Sequence, residues 1–279
     1  MDIENRARLH LVELEIINYF IGICDQLNLK YFALGGTLLG AVRHQDFIPW
    51  DDDVDFGMPR PDYEKLCDFL INNNNKEFTF KNFKNSDIKT YFSRIECKKA
   101  KIIDNSAEQT DIRYSWIDIF PLDGMPTNKF KMRLHQFNLL RLRLLLQYSQ
   151  FSEIVNVNLT ERPLIEKIFI QIGKIIKPEH FLDTRKLMFK LDKCLKKYQY
   201  NNSENVVNFM GAYKFKEMFP KKVYKELTQY DFNSIKLCGP KDYDKVLKQM
   251  YGASYMLPPS KMVMNKHFTK IVFEDNKNN

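Results

Sequence analysis

Two aspartates separated by one residue, Asp53 and Asp55, are the residues of this chain best placed to do chemistry. They alternate with Val54 and Phe56, and this period of two is typical of a β-strand, on which alternate side chains point to the same face. Two carboxylates held on one face repel each other unless a cation lies between them, and hard oxygen ligands suit Mg²⁺ or Mn²⁺. We therefore predict that Asp53 and Asp55 bind a divalent cation.

The pair belongs to a denser acidic cluster, because Asp51 and Asp52 precede it directly. Acidic pairs with this spacing are common on solvated strands, so the spacing alone indicates little. The crowding of these acids beside apolar strand residues favours a bound cation, since like charges repel and an unpaired buried acid is costly. Asp51 is expected to add a ligand or, like Asp52, to orient the others; solvated loop acids are the alternative interpretation.

A third carboxylate, Asp118, lies between Ile117 and Ile119, where the pattern predicts another strand. Three carboxylates on adjacent strands can hold two metal ions that clamp a phosphoryl group. Asp118 is therefore predicted as a metal ligand and as the candidate base that takes the proton from an acceptor hydroxyl.

A glycine turn precedes the acidic cluster, formed by Gly35 and Gly36 and followed by Thr37. Such a turn exposes backbone N–H groups and lets a phosphate approach closely, and Thr37 can add a hydroxyl donor. Arg43 can bind a phosphate oxygen through two hydrogen bonds, with a surface arginine as the alternative. These residues are predicted to bind the diphosphate of a nucleotide donor.

The two tryptophans of the chain, Trp50 and Trp116, adjoin the acidic motifs. Their faces can attract a quaternary ammonium, an interaction worth about 1–2 kcal/mol when it is desolvated. Packing in the core is the alternative role for each ring. For His44 and His267, structural and substrate-binding roles are equally open.

The elements that must position these residues follow from the hydrophobic pattern. Apolar residues at three- and four-residue intervals between positions 9 and 27 predict an amphipathic helix. A short strand is predicted at 30–34, followed by a short helix that Thr37 caps and that runs through His44. The pattern predicts further strands at 53–56, 78–83, 91–97, 101–104 and 115–120, the last ended by Pro121, and a helix from Pro61 to about residue 70.

The second half changes to helical patterns at 128–150, 164–176 and 181–198. We therefore predict an α+β fold with a catalytic core over residues 1–125. Residues 126–279 are predicted to form a helix-rich region that packs on the core and contributes to the acceptor site. The segment 133–146, rich in leucine and arginine, and the apolar stripe at 164–176 are compatible with a membrane surface, with packing on the core, or with a second subunit of a homo-oligomer.

The composition favours anionic partners, because the formal net charge is +8 and the isoelectric point is about 9.0. Five cysteines occur without C-x-x-C spacing, which disfavours a zinc site or a disulfide framework and indicates a reducing cytoplasm. No signal peptide is expected from the N-terminal residues, and no apolar run is long enough to span a membrane.

Three stretches of the sequence resemble the LicD family. Residues 31–44 and 47–55 are similar to its first signature, and residues 116–123 to its second motif. Tyr251-Gly, residues 255–259 and His267 resemble its C-terminal motif, although Ala253-Ser254 stand where an acidic residue often occurs. The similarity spans roughly residues 14–268. The Gly-Gly turn and the later D-x-D also resemble the wider nucleotidyltransferase superfamily.

This resemblance implies a nucleotidyltransferase-like mixed sheet with flanking helices. It implies divalent-metal transfer of phosphocholine from CDP-choline to a glycan, such as a teichoic acid precursor or lipopolysaccharide, with release of CMP. Fukutin-type relatives transfer ribitol phosphate from CDP-ribitol, so the transferred alcohol is less well defined than the donor class. Tyr251 and His267 would then belong to the acceptor site or to a structural motif. A lipid-linked acceptor would bring the enzyme to the inner face of the membrane.

Three alternatives stay open at this point. One is a D-x-D glycosyltransferase that uses a sugar nucleotide, although such enzymes are not expected to pair a Gly-Gly-Thr turn with a later strand-borne aspartate. Another is a nucleotidyltransferase that attaches a nucleoside monophosphate. The third is a basic module that binds nucleotides or RNA, against which the acidic cluster at 51–55 argues because it repels phosphates in the absence of metal.

Overall fold

The structure is a computed structural model that describes residues 3–73, 75–104, 111–151, 180–258 and 269–273. Six helices of these residues are α1 (Ile3–Gln26), α2 (Gly35–Arg43), α3 (Arg60–Asn72), α4 (Lys129–Tyr148), α5 (Thr184–Leu195) and α6 (Tyr243–Tyr251). Ten strands are β1 (Phe32–Ala33), β2 (Asp55–Pro59), β3 (Phe78–Lys81), β4 (Ser93–Asp104), β5 (Asp111–Met125), β6 (Asn205–Val207), β7 (Met218–Pro220), β8 (Leu227–Phe232), β9 (Ile235–Pro240) and β10 (Thr269–Phe273). Short 3₁₀ helices occupy Tyr200–Asn202, Lys214–Glu217 and Lys221–Tyr224.

The strands confirm the predicted α+β class with a mixed sheet. The main sheet runs in the order β1-β2-β5-β4-β10, with β3 on β4 and with β6 and β7 continuing from β5. The pair β2–β5 is parallel, whereas the other neighbours are antiparallel. β8 and β9 form a separate two-stranded sheet.

The predicted N-terminal amphipathic helix is present as α1, which packs on β4 and β5. Its apolar face is fully buried at Leu9, Ile16 and Phe20, which removes these side chains from water and anchors the helix to the sheet. Just after the helix, Asn28 has a φ of +51°, a left-handed conformation that asparagine tolerates and that turns the chain towards β1.

The longest strand, β5, joins the two halves of the chain. Its middle pairs with β2 and places Asp118 beside Asp55, while its last three residues pair with β6. The prediction that Pro121 ends this strand is wrong, because β6, a partner from the second half, extends the pairing of β5 to Met125. Likewise, the two strands predicted at 91–97 and 101–104 form one strand, β4, with an irregularity between Cys97 and Lys101.

The short helix α2 begins earlier than predicted. Leu34 is its N-cap and Gly35 is its first residue, so Thr37 lies inside the helix and does not cap it. Gly35 has a φ of +50°, which lets the chain turn directly from β1 into the helix. The Thr37 hydroxyl is instead used to bind the backbone of Asp55.

The helices of the second half form a second hydrophobic core, which also includes Met125 of β5 and Val207 of β6. α4 and α5 pack together and bury Leu139, Leu142 and Leu191 with Phe209. Both begin with side-chain caps, Asn128 for α4 and Asp183 for α5. The apolar stripe predicted at 164–176 lies outside the described residues, and the division near residue 125 stays a prediction.

A buried ionic network connects α3 with β5 and α5. The guanidinium of Arg60 donates to both carboxylate oxygens of Asp123, at 2.7 and 2.5 Å. It also lies 3.5 Å from Asp192 on α5 and 3.0 Å from the hydroxyl of Tyr91. Glu64 on α3 is a further partner of Arg60, at 3.1 Å, so three acidic side chains share this guanidinium, and the loss of Arg60 would leave Asp123 buried without its cation.

Among the helices of the described residues, none combines the length and the hydropathy that are needed to cross a membrane.

Candidate functional site

A cleft of about 750 Å³ opens where α2 begins. One part of its lining comes from the glycine turn and from the acidic loop that precedes β2. The remainder comes from the second half of the chain, from residues 208–217 and 250–258. Both halves of the sequence therefore contribute to one site.

The glycine turn presents backbone to the cleft. Gly35 and Gly36 are the first residues of α2, and no side chain caps the N-terminal N–H groups from the N-cap position. The first-turn N–H groups of a helix lack intrahelical partners, and the helix dipole favours negative charge there. This end of α2 can therefore bind a phosphate group, as predicted for Gly35 and Gly36.

The acidic loop packs directly against this turn. A Cβ placed on Gly36 would lie 2.5 Å from Oδ2 of Asp51, and one on Gly35 would lie 3.3 Å from Oδ2 of Asp55. Larger residues at either position would therefore meet a carboxylate. The two glycines bring backbone N–H groups and carboxylates into one small space.

Asp55 is fixed by hydrogen bonds to its backbone. Its N–H donates to the Thr37 hydroxyl at 2.8 Å, and its carbonyl accepts from the N–H of Leu34 at 3.0 Å. Thr37 is buried, so its hydroxyl supports the start of β2. The structure thus places Thr37 behind the cleft, where it positions Asp55.

Burial and mutual repulsion dominate the electrostatics of the acidic loop. Burial, and then the charge of Asp53, raise the pKa of Asp51 to about 8. The same two causes raise the pKa of Asp55 above its ordinary value. A proton or a cation is needed to relieve this repulsion at neutral pH.

The carboxylates of Asp51, Asp53 and Asp55 suit a hard divalent cation. Within the part of the chain that the structure describes, no group of three His, Cys, Asp or Glu side chains is placed so that it could hold a metal ion. Mg²⁺ often uses one or two carboxylates and completes its shell with water and substrate phosphates. The donor set in this cleft therefore fits such an ion.

Asp118 neighbours Asp55 on the adjacent strand, but its side chain is engaged elsewhere. Arg94 donates to Oδ1 through Nε at 2.8 Å and to Oδ2 through a terminal nitrogen at 3.1 Å. The indole N–H of Trp116 donates to Oδ2 at 3.1 Å. Burial raises the pKa of Asp118, while Arg94 opposes that shift. The role of Asp118 as a metal ligand and base stays a prediction that requires Arg94 to release a carboxylate oxygen.

The two tryptophans occupy different environments. Trp50 lines the cleft, with the guanidinium of Arg43 at 5.8 Å from its ring and the His44 ring edge-on at 5.9 Å. Trp116 lies outside the cleft lining, and the guanidinium of Arg94 stands 4.5 Å from its ring. Trp50 thus remains a candidate donor-binding residue, whereas Trp116 packs on the Arg94–Asp118 pair.

Arg43 and Tyr251 both line the cleft, as their predicted roles require. Arg43 donates to the carbonyl of Tyr255 and to His44, each at 2.9 Å, and burial lowers its pKa. The Tyr251 hydroxyl would be 3.7 Å from a Cβ on Gly35, which places it beside the glycine turn. His267 lies outside the described residues.

One wall of the cleft was not predicted from the sequence. It contains Glu217, Asn208, Gly211 and Tyr213. Glu217 is buried, accepts from the N–H of Tyr213 at 2.9 Å and from Nδ2 of Asn208 at 2.8 Å, and has a pKa that burial raises to about 7. Its neighbours in the sequence include Lys214 and Lys216, a pattern typical of a solvated surface, so only the fold brings it to the site.

Comparison with known proteins agrees with this arrangement. Residues 28–139 match the family described as LicD/FKTN/FKRP, nucleotidyltransferase domain. The chain is 28% identical over 272 residues to Lipopolysaccharide cholinephosphotransferase LicD of Haemophilus influenzae, covering 89% of this chain and 91% of that protein. A stretch of 44 residues, 16% of this chain and 9% of the relative, is 48% identical to Ribitol 5-phosphate transferase FKRP of Homo sapiens. Residues 28–139 are thus a LicD-family domain, and the resemblance seen in the sequence motifs is confirmed.

Proposed function

Because residues 28–139 form a LicD-family domain, we propose that this chain transfers a phospho-alcohol from a CDP-linked donor to a hydroxyl of a cell-surface glycan precursor. The observation that carries the proposal is the contact between the glycine turn and the acidic loop. Backbone N–H groups suited to a phosphate and carboxylates suited to a divalent cation share one cleft there, which is the combination that phosphoryl transfer requires.

Choline is the proposed alcohol. The relative that covers 89% of the chain is named as a lipopolysaccharide cholinephosphotransferase, whereas the ribitol 5-phosphate transferase shares 44 residues. By the same comparison, the proposed acceptor is a lipopolysaccharide sugar, with a teichoic acid precursor as the other candidate.

In the proposed reaction, the acceptor hydroxyl attacks the phosphorus that carries the alcohol. The bond from this phosphorus to the bridging oxygen of the diphosphate breaks, and CMP leaves with the electron pair. The hydroxyl proton passes to a carboxylate of the site, which the sequence assigns to Asp118. The N–H groups at the start of α2 and the guanidinium of Arg43 are placed to bind phosphate oxygens.

One or two of the carboxylates of Asp51, Asp53 and Asp55 would hold Mg²⁺ or Mn²⁺ together with water and donor phosphates, and the ion when bound would neutralise charge on the phosphoryl oxygens. The protein's own contribution is to fix these carboxylates beside the phosphate site before the donor binds. The hydrogen bond from Asp55 to Thr37 and the packing of Asp51 on Gly36 serve that purpose.

We also propose that the protein binds the inner face of a membrane through α4, where a lipid-linked acceptor would be found. Phe130 and Phe137 on α4 are 77% and 63% exposed. The helix contains no acidic residue, and four of its basic side chains are exposed. An apolar face flanked by cations fits an anionic bilayer. The exposed basic residues are Lys129, Lys131, Arg133 and Arg141.

Sedimentation with phosphatidylglycerol vesicles tests this surface. The wild type should bind in a salt-dependent manner, and changing both Phe130 and Phe137 to Ser should weaken binding at least about tenfold. Phe181→Ser is the matched control, because Phe181 is 81% exposed but lies outside α4. Equal binding by all three proteins would contradict the assignment of the surface to α4.

Product analysis tests the proposed function. The protein is incubated with a glycan acceptor and, in parallel, with CDP-choline, CDP-ribitol and CDP-glycerol, and the mass gained by the glycan is measured together with CMP. A gain of phosphocholine with release of CMP is expected. A cytidylyl gain would favour the nucleotidyltransferase alternative, and a hexosyl gain from a sugar nucleotide would favour the glycosyltransferase alternative.

A further inference from the structure

The carboxylate of Glu217 is held rigidly in the wall of the cleft. The backbone N–H of Tyr213 donates to one oxygen at 2.9 Å, and the side chain of Asn208 donates to the other at 2.8 Å. Asn208 in turn accepts from the N–H of Gly211 at 3.2 Å. The loop from 208 to 213 is therefore wrapped around this one acidic group.

The carboxylate of Glu217 packs closely against Gly211 of this loop. A Cβ on Gly211 would contact both carboxylate oxygens of Glu217 and would lie 2.6 Å from Nδ2 of Asn208. Arg143 of α4 also holds the loop, because its guanidinium donates to the carbonyls of Phe209 at 2.5 Å and Gly211 at 3.1 Å. Glu217 thus has a fixed position, as a binding group requires.

Two aromatic rings accompany this carboxylate. Tyr213 and Tyr251 both line the cleft, with ring centroids 5.8 Å apart and planes at 88°. The ammonium of Lys216 lies 5.3 Å from the centroid of the Tyr213 ring and donates to the carbonyl of Met250 at 2.6 Å. Tyr213 is 41% exposed, which leaves it accessible to a ligand.

The aromatic pair lies beside the phosphate site. The Tyr251 hydroxyl would be 3.7 Å from a Cβ on Gly35, in the glycine turn. Glu217 is close enough that its charge contributes to raising the pKa values of Tyr251 and Asp55. In choline phosphate only two carbons separate the ammonium from the ester oxygen, so a site for the ammonium must adjoin the site for the phosphate.

We propose that Glu217, Tyr213 and Tyr251 form the subsite that binds the quaternary ammonium of the donor and so selects choline over uncharged alcohols. This inference rests on the proposed function. A quaternary ammonium has no N–H to donate, so a carboxylate and aromatic faces bind it. Burial raises the pKa of Glu217 to about 7, and a bound ammonium would favour the charged form of this carboxylate over the protonated form. A polyol depends on hydrogen bonds from its hydroxyl groups instead, and the loop already uses about half of the acceptor capacity of the Glu217 carboxylate.

The test compares CDP-choline with its neutral isostere, CDP-3,3-dimethylbutanol, in which carbon replaces the nitrogen. Calorimetry measures binding of both, and CMP release measures transfer from both and from CDP-ribitol. Glu217→Gln keeps the shape of the side chain and one acceptor oxygen while removing the charge. The wild type should bind CDP-choline at least about tenfold more tightly than the isostere, and Glu217→Gln should lose this preference, with transfer from CDP-choline falling at least about tenfold more than transfer from CDP-ribitol.

Two variants of Tyr213 test the subsite even if Glu217→Gln fails to fold. Tyr213→Phe keeps the ring and should retain the preference for CDP-choline, whereas Tyr213→Leu should reduce it about tenfold. Glu226→Gln is the matched charge control, because Glu226 lies outside the cleft and pairs with Lys241. Thermal unfolding curves verify that every variant is folded at the temperature of the binding and transfer measurements.

The outcomes separate this inference from the proposed function. If Glu217→Gln and Tyr213→Leu weaken all three donors equally, the loop has a structural role and the subsite is refuted, while phospho-alcohol transfer stands. Equal binding of CDP-choline and its isostere by the wild type would refute the subsite as well. If the wild type neither binds CDP-choline nor releases CMP from any of the donors, the proposed function fails together with the subsite.

Discussion

Replacing Gly36 with alanine should lower the activity of the protein while leaving the stability of its fold nearly unchanged. The added Cβ would lie 2.5 Å from Oδ2 of Asp51, whereas an ordinary contact begins at 3.4 Å. The carboxylate must therefore retreat by about 0.9 Å. A misplacement of about 1 Å at a catalytic site can cost about 100-fold in rate.

For Gly36→Ala we thus expect kcat/KM for CMP release to fall about 100-fold, equivalent to about 2.7 kcal/mol. The free energy of unfolding should change by less than about 1 kcal/mol, because alanine favours a helix by a similar amount and offsets the local displacement. Initial rates with CDP-choline and urea unfolding curves measure the two quantities on the same preparation.

Gly22→Ala is the matched control. Gly22 is an exposed residue inside α1, and a Cβ there would have nothing within 4 Å. This variant should be more stable by about 0.5–1 kcal/mol and fully active. If Gly36→Ala keeps more than about a third of the wild-type kcat/KM, or if its stability falls as far as its activity, the packing of Asp51 on the glycine turn does not serve the site.

Three further predictions follow from the ionisable groups. Asp123→Asn should lower the free energy of unfolding by about 1–3 kcal/mol in urea titrations, because it breaks the buried two-point pair with Arg60 while Glu64 and Asp192 remain 3.1 and 3.5 Å from the guanidinium; a loss below about 0.5 kcal/mol would contradict this account of the ion pair. Burial, and then the charge of Lys197, lower the pKa of His135 from 6.5 to about 4, so protonation is disfavoured in the folded chain and stability should be lost as the pH falls from 6.5 towards 4. Replacing His135 with leucine should remove up to about 3 kcal/mol of that acid dependence, and an unchanged pH profile of the melting temperature would argue against it. Exhaustive chelation should abolish CMP release, with recovery on addition of Mg²⁺ or Mn²⁺ and none with zinc, and full turnover of the chelated protein would refute metal dependence.

Local patterns in the sequence were sufficient to predict the residues that form the acidic loop and the glycine turn. The alternation around Asp53 and Asp55 indicated a strand, but β2 begins only at Asp55, so Asp53 lies in the preceding loop and not on the strand as predicted. The Gly-Gly pair indicated a backbone able to approach phosphate. The spacing of apolar residues likewise predicted α1 and α4. Each of these signals depends on neighbours within a few residues, which is why one sequence is enough to detect it.

Such local patterns could not predict contacts between residues that are far apart in the sequence. Asp118 was predicted as a free ligand because its partner Arg94 is 24 residues away and faces it only across paired strands. Thr37 was predicted as a helix cap because the positive φ of Gly35 is invisible in the sequence. Glu217 was missed because it stands among lysines and enters the cleft only when β6 and β7 join β5.

The central claim is that the cleft between the glycine turn and the acidic loop moves a phospho-alcohol and releases CMP. The most direct measurement is the stoichiometry of CMP and glycan-bound phosphocholine for the wild type and for Asp55→Asn, with the fold of both proteins verified by unfolding curves. The wild type should give the two products in equal amounts, and Asp55→Asn should give less than about a tenth of either, since the loss of a metal contact usually costs more than that. Transfer by Asp55→Asn at the wild-type rate, or phosphocholine transfer without an equal amount of CMP, would contradict the claim.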